Sequence, residues 1–333
     1  MDPQIIKRYN DDILSEAMQR YGIRKNEIKL LDGFESFMYE FHRPQDGEFI
    51  LRVSHSGRRT PQMIAGEVDW INYLARGGAN VARAILSNRG KLVEAVDDGH
   101  GEQFLATAFI KAQGSPSGET QWTAEFVRHY GQVIGRIHAL TKDYTPSQPS
   151  WRREEWDAPG NLDIEKWMPP SETTALQKFQ ELMTHLETLP KDRDSYGLIH
   201  QDAHGGNFFV HQGQITLFDF DDCVYGWFIY DIAMVLFYAA MFKEDMSAYT
   251  LRFMRDFLHG YSLENELAPI WLEELPYFMK LREIDLFAQI HFSFDLEQDN
   301  GPWITGYMQG RKERIDAGLP YIDFNWESLA GYL

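Results

Sequence analysis

Between Leu198 and Asp222 two short apolar runs each lead into a carboxylate, and the loop after the first carries an amide and two adjacent glycines. The first run, Leu198-Ile199, passes into His200-Gln201-Asp202-Ala203-His204-Gly205-Gly206-Asn207 and then Phe208-Phe209-Val210. The second, Ile215-Thr216-Leu217-Phe218, passes into Asp219-Phe220-Asp221-Asp222. Short apolar runs bounded by turn residues read as strands, so the polar side chains fall at strand ends and in the loop between them. Buried carboxylates without a partner or a metal are costly, which argues against a polar loop with no chemistry. Phosphoryl transfer asks for one or two magnesium ions and a carboxylate that orients the acceptor hydroxyl. Magnesium takes a few oxygen ligands and keeps its waters, so Asn207 and Asp219 suffice as ligands while Asp202 faces the acceptor. Gly205 and Gly206 let the loop fold tightly between them. A competing reading is a nitrogen and oxygen cage for zinc or iron in a hydrolase, built from His200, Asp202, His204, Asp219 and Asp221. No later histidine pair completes a second metal at recognisable spacing.

The rest of the chain supplies a frame for that site. At 333 residues and 44% hydrophobic, it is long enough for about two domains with a substantial core. Residues 4–21 place Ile5, Tyr9, Ile13, Ala17 and Tyr21 at intervals of four, an amphipathic helix. Glu27 to Leu31 and Phe37 to Phe41 read as strands around a turn, Asp32-Gly33-Phe34-Glu35-Ser36. In Glu48 to Val53, Phe49, Leu51 and Val53 share one face and Arg52 lies on the other, either clamping phosphate or meeting solvent. A helix from Pro61 to Ala75 carries Glu67, which pairs with Arg52 if the helix packs beside the strand. Strands at Leu92–Val96 and Phe104–Phe109 make this first part mostly antiparallel sheet. Beyond Gly114-Ser115-Pro116-Ser117-Gly118 the periodicity turns helical, beginning with Trp122, Phe126, Tyr130, Val133, Ile137 and Leu140. His138 on that helix reads as a packed residue. Residues 143–171, rich in Pro, Trp and charge, read as an inserted surface segment or lid.

His200-x-Asp202-x4-Asn207, a short hairpin, then Asp219 on the following strand resembles the catalytic and metal loops of kinase-like phosphotransferases: aminoglycoside phosphotransferases, type II homoserine kinases and choline kinases. Gly131 to Thr141 is similar to that family's Gly-x-x-hydrophobic-His helix segment, and Tyr230-Asp231-Ile232-Ala233 to its Tyr-Asp-Leu-Ala segment. The resemblance covers most of the chain. It implies an α+β, two-lobed protein-kinase-like fold, with a sheet-rich nucleotide-binding lobe over 1–108 and a mainly helical catalytic and acceptor-binding lobe over 109–333. It implies Asp202 as catalytic base, Asn207 and Asp219 as Mg2+ ligands, His200 as a brace of the loop, Asp221 beside the site, and Asp231 holding the loop through hydrogen bonds. Gly33 to Ser36 would cover the phosphates of ATP or GTP, and Ala106 to Ile110, with Ala108 and Ile110, would be the hinge that meets the base. Arg52, paired with Glu67, would stand where many kinases have lysine. Arginine is not equivalent to lysine at a fixed phosphate contact, but its fork still binds phosphate. His204 receives no role.

Composition narrows the acceptor. The net charge is −18, yet residues 1–110 carry 14 Lys plus Arg against 16 Asp plus Glu, so nearly all of it lies further on. Such a field disfavours nucleic acid and anionic membrane and attracts an amine-bearing small molecule: an aminoglycoside, an amino alcohol or homoserine. Asp285, Asp295, Glu297 and Asp299, near Trp303 and Tyr307, are the candidate acceptor pocket, with solvent-facing acids as the plain alternative. A protein serine or threonine acceptor and a nucleotide-binding regulator with little turnover are the other functional readings. One cysteine, Cys223, excludes an intrachain disulfide, and neither a signal peptide nor an 18-residue apolar run is visible, which together point to the cytoplasm.

Overall fold

A computed structural model describes residues 2–31, 33, 35–43, 47–118 and 122–333. Its contacts separate two units. The first spans Met1–Ser115, Tyr144–Arg153 and Phe208–Asp221; the second spans Pro116–Asp143, Glu154–Asn207 and Asp222–Leu333.

In the first unit, α1 (Pro3–Arg8) and α2 (Asp11–Tyr21) replace the single expected helix. The fourfold apolar spacing runs through both. Asn10, however, adopts an extended backbone and its side chain accepts from the N–H groups of Asp12 and Ile13, so it caps a new helix instead of continuing the old one. The sheet contains β1 (Ile28–Leu31), β2 (Phe37–Arg43), β3 (Gly47–His55), β4 (Ala84–Ile85), β5 (Glu94–Asp97) and β6 (Gln103–Ile110). Its order is β1-β2-β3-β6-β4, β5 also pairs with β6, and all pairings are antiparallel. Between β3 and β4 runs α3 (Pro61–Arg76), capped by the Thr60 hydroxyl on the Met63 N–H.

Strand alternation divides the apolar residues between two cores. Leu51 and Val53 of β3, with Phe41, Phe104 and Ala106, pack with Ile13, Ala17, Met18 and Tyr21 of α2. On the other face Ile64 and Val68 of α3 pack with Ala84 and Leu105. Arg52 shares that second face, which brings it within reach of Glu67 on α3. Later in the chain, β8 (Phe208–His211) and β9 (Gln214–Leu217) form a hairpin turned by Gln212 and Gly213, both at positive φ, as a two-residue hairpin turn requires.

The second unit is mainly helical: α4 (Ala124–Thr141), α5 (Ile164–Trp167), α6 (Thr173–Leu186), α7 (Phe228–Ala240), α8 (Met246–Tyr261), α9 (Leu275–Ser293), α10 (Gly301–Met308) and α11 (Arg311–Asp316). One antiparallel pair, β7 (Tyr196–Ile199) and β10 (Val224–Trp227), is set among them. The helices α4 and α8 approach so closely at Gly131 and Gly260 that a Cβ on the first would lie 2.0 Å from the Phe257 carbonyl oxygen, and one on the second 1.8 Å from that of Arg128. Eleven residues of α7 are buried, from Phe228 to Ala240, so this helix is a central post that can carry Asp231 into the interior. The 143–171 segment divides between the units. Tyr144 and Ser147 hydrogen-bond Asp69 of α3 in the first, and Trp156 donates its N–H to the Tyr225 carbonyl in the second.

Candidate active site

The strand β7 ends at His200, and the loop from there to Asn207 is held from beneath by Asp231 of α7. Its Oδ2 accepts from the His200 N–H at 2.9 Å and its Oδ1 from the Gln201 N–H at 2.7 Å. Gln201 sits at φ 67, a left-handed conformation that a non-glycine residue keeps only where its surroundings impose it. The Asp231 carboxylate also accepts from His138 Nε2 at 3.1 Å, which fixes the histidine tautomer. His138 Nδ1 then accepts from the Tyr261 hydroxyl at 2.9 Å, and that hydroxyl accepts from Asn265 at 2.8 Å. His138, which the sequence reads as a packed residue, is buried and stacked on Phe228 while ordering this chain.

Above that base the loop closes on itself. The His200 ring accepts from the Asp202 N–H, and the Tyr130 hydroxyl donates to the Ala203 carbonyl. Asn207 Nδ2 donates to both the Asp202 carbonyl, at 2.9 Å, and Asp202 Oδ2, at 2.8 Å. With its nitrogen committed in this way, the Asn207 side chain has its amide oxygen left as a hard donor for a cation. His204 Nε2 lies 3.4 Å from Asp202 Oδ2, and its ring rests on Tyr238. Arg282 of α9 stands 3.9 Å from the other oxygen, Oδ1. Burial alone would push the Asp202 carboxyl up, but His204, Arg282 and His200 outweigh it and hold it below the ordinary carboxylate range. Asp202 is thus an ionised, half-buried carboxylate on a rigid loop, a group able to accept a proton. His204, Tyr238 and Arg282 are neighbours of Asp202 that no sequence spacing singled out; they reach it from α7 and α9.

In the first unit Asp219 follows β9 at φ 64, a second non-glycine residue in the left-handed region, and is exposed. Arg52 and Glu67 form the expected pair, both buried, with Nη1 to Oε1 at 2.9 Å and Nη2 to Oε2 at 2.6 Å. The guanidinium also lies 5.1 Å above the Phe109 ring. Asp221 is buried among guanidinium groups: Arg58 pairs with it, Arg52 and Arg59 lie 3.6 and 3.7 Å away, and Arg153 donates to its carbonyl at 2.7 Å. Burial opposes its ionisation, but these four cations hold its carboxyl far below the usual range. Arg58, Arg59 and Arg153 carry no sequence motif.

Of the turn expected over the phosphates, Asp32 and Phe34 lie outside the described residues. Gly33 is exposed, with no room for a side chain: a Cβ there would lie 2.2 Å from the Ser36 carbonyl oxygen. Ser36 is buried and shares a 2.9 Å hydrogen bond with Ser54. Ala108 lies within β6, opposite Leu51 and Ile85, and the Ile110 N–H donates to the Arg83 carbonyl. The suggested acceptor pocket is placed elsewhere. Asp295 accepts from the Glu297 N–H and from Gln298, and Asp299 from the Gly301 N–H, so both shape their own exposed loop. Glu297 and Trp303 are exposed, while Tyr307 is buried and donates to the Glu283 carbonyl. Asp285 alone of that set faces the neighbourhood of Asp202, through its 2.6 Å bond to Arg282.

An antiparallel sheet with its own helices, a helical unit, and a buried Asp bracing an Asp–Asn loop define a phosphotransferase of the protein-kinase-like α+β type. Residues 27–270 match the model of the phosphotransferase enzyme family, and the chain belongs to that family. It is a kinase acting on small molecules. It is 37% identical over 325 residues to the amicoumacin kinase of Bacillus subtilis, a match covering 96% of each protein. Among solved structures it is similar to an amicoumacin kinase in complex with AMP-PNP, Ca2+ and Ami, with 36% identity, a TM-score of 0.94, and coverage of 99% of this chain and 100% of that one. It shares its fold with a microcompartment-associated aminopropanol kinase, at 22% identity and a TM-score of 0.70 over 96% of this chain and 95% of the other. No helix among the described residues is long and apolar enough to cross a membrane.

Proposed function

We propose that this enzyme transfers the γ-phosphoryl group of ATP, with Mg2+, to a hydroxyl of a small amine-bearing acceptor, with Asp202 as the base. The observation that carries this reading is the double bond from Asn207 to Asp202 on a loop pinned by Asp231. It leaves a carboxylate aimed by its neighbours and an amide oxygen available to a cation. Asp202 accepts the proton of the acceptor hydroxyl as that oxygen attacks the terminal phosphorus; a positioned base of this kind contributes roughly 10²–10⁴ in rate. Asn207 and Asp219 are hard oxygen donors that suit Mg2+. Bound there, the ion would neutralise charge on the phosphate oxygens. His200 and Asp231 keep the loop in place. Arg52, held by Glu67, presents its charge toward the nucleotide phosphates, Gly33 to Ser36 covers them, and the Ala108 to Ile110 strand end meets the adenine. Asp221 anchors the arginines around it.

The relatives support the nucleotide and the acceptor class: one solved amicoumacin kinase holds AMP-PNP, a divalent cation and its antibiotic, and the structure sharing the fold is an aminopropanol kinase. A coupled assay of ADP release with ATP and Mg2+ tests the proposal against amicoumacin, aminopropanol, choline, homoserine and an aminoglycoside. Acceptor-dependent ADP release with a phosphorylated product is the expected result. ATP binding with no transfer to any of the five overturns the proposal in favour of a nucleotide-binding regulator.

A further inference from the structure

The two oxygens of Asp202 have different surroundings. Oδ2 is occupied by Asn207 and His204, whereas Oδ1 faces Arg282 Nη2 across 3.9 Å, too far for a hydrogen bond. Arg282 cannot easily close that gap. Its Nε and Nη2 both donate to the Tyr238 hydroxyl, its Nη1 donates to Asp285 Oδ2 at 2.6 Å, and its guanidinium lies 5.5 Å from the centre of the Tyr238 ring. Asp285 is in turn held by Gln289. A guanidinium has five N–H donors, so one on Nη1 and one on Nη2 remain after these bonds, on a side chain only 14% exposed.

Hydrogen-bond lengths decide what fits between such a pair. A single oxygen about 2.8 Å from both Oδ1 and Nη2 would subtend an angle of roughly 90°, too sharp for a hydroxyl that donates one bond and accepts the other. Two oxygens about 2.8 Å apart, the spacing on adjacent carbons, span the gap with angles of about 100°. We infer that the acceptor is a 1,2-dioxygenated alcohol: Asp202 Oδ1 takes the reacting hydroxyl, and Arg282 Nη2 binds an oxygen on the neighbouring carbon. This rests on the kinase reading of Asp202 and specifies the chemistry of its acceptor. The second oxygen is a hydroxyl or an amide carbonyl, since both accept from a guanidinium. Arg282 is then the residue that sets specificity, with Tyr238 and Asp285 fixing its orientation.

The test compares three acceptors with one amine and one secondary hydroxyl in common: 3-amino-1,2-propanediol, 3-amino-2-hydroxypropanamide and 1-amino-2-propanol, the last lacking the second oxygen. With the intact enzyme, kcat/KM for the diol or the amide should exceed that for 1-amino-2-propanol by about tenfold to a hundredfold, the worth of one hydrogen bond to a charged donor. Whichever of the two is preferred identifies the second oxygen. In Arg282→Met the ratio should fall to about one. A ratio is insensitive to a smaller folded fraction. Should that variant not fold, Tyr238→Phe, which keeps the ring and removes the hydroxyl that orients Arg282, should lower the ratio as well. A ratio near one in the intact enzyme, or one unchanged in the variants, overturns the inference, as does transfer to amicoumacin with none to the diol or the amide. Absence of transfer to every acceptor, amicoumacin included, instead overturns the kinase reading beneath it.

Discussion

Replacing Asp231 by asparagine should damage the catalytic loop without touching a reacting atom. The carboxylate is buried, and each oxygen accepts a backbone N–H: Oδ1 that of Gln201 at 2.7 Å, Oδ2 that of His200 at 2.9 Å together with His138 Nε2 at 3.1 Å. An asparagine has one accepting atom. Whichever way its amide is turned, an NH2 group meets one of the two backbone donors and leaves it unpaired. A buried donor without a partner costs about 1–3 kcal/mol, which for a chain of this length lowers the melting temperature by about 2–4 °C. Asp231→Ala removes every acceptor and should cost about twice as much. The released strain at Gln201 lets Asp202 shift. A displacement of about 1 Å in a positioned group costs on the order of a hundredfold in rate, so kcat for Asp231→Asn should fall by roughly 10- to 100-fold. Thermal denaturation followed by circular dichroism, beside steady-state kinetics on the same preparation, measures both. An Asp231→Asn variant as stable as the parent and with unchanged kcat would refute the claim that this carboxylate holds the loop.

Other parts of the molecule give sharper structural outcomes. Arg52→Ala strands the buried Glu67 carboxylate and should destabilise by about 3–5 kcal/mol in urea titration, whereas Arg52→Met with Glu67→Leu, which removes both charges, should recover most of that loss. Gly131→Ala forces a methyl group into the Phe257 carbonyl at the α4–α8 crossing; a cost of about 1–3 kcal/mol is expected, and a neutral effect on the melting curve would contradict the close approach. Asp98 is buried, which alone would raise its pKa, but N–H groups of His100 and Glu102 with His55 and Arg8 hold the carboxyl below its ordinary range. A depressed folded pKa contributes stability that is present above about pH 4 and lost as the pH falls. The stability difference between the parent and Asp98→Asn should therefore shrink on acidification, as paired denaturation curves at pH 6 and pH 3 would show.

The parts of the fold and site legible in the sequence are those whose determinants are close together along the chain. Residues 198–222 announced strand, loop and strand because each polar residue sits a few positions from an apolar run. Arg52 and Glu67 are separated by 15 positions, yet strand alternation and the helical face together predict their meeting, and they pair. The break between α1 and α2 was hidden because Ile5, Tyr9 and Ile13 keep the helical period across it; only the capping chemistry of Asn10 separates them. The acidic stretch from Asp295 to Asp299 suggested a pocket, but its carboxylates are consumed by turn hydrogen bonds, which composition does not distinguish from ligand contacts. Arg282 and Tyr238 were illegible for a different reason. They reach Asp202 from helices 36 and 80 residues downstream, and nothing in their local sequence records that approach. The cluster of Arg58, Arg59 and Arg153 about Asp221 has the same origin.

The most direct test of the account concerns Asp202 itself. Phosphoryl transfer from ATP by Asp202→Asn should be followed in a single turnover with excess enzyme, beside calorimetric titration of the same variant with ATP and Mg2+. The account predicts a transfer rate lower by roughly 10²–10⁴ with nucleotide affinity nearly intact; transfer at the parent rate would contradict it.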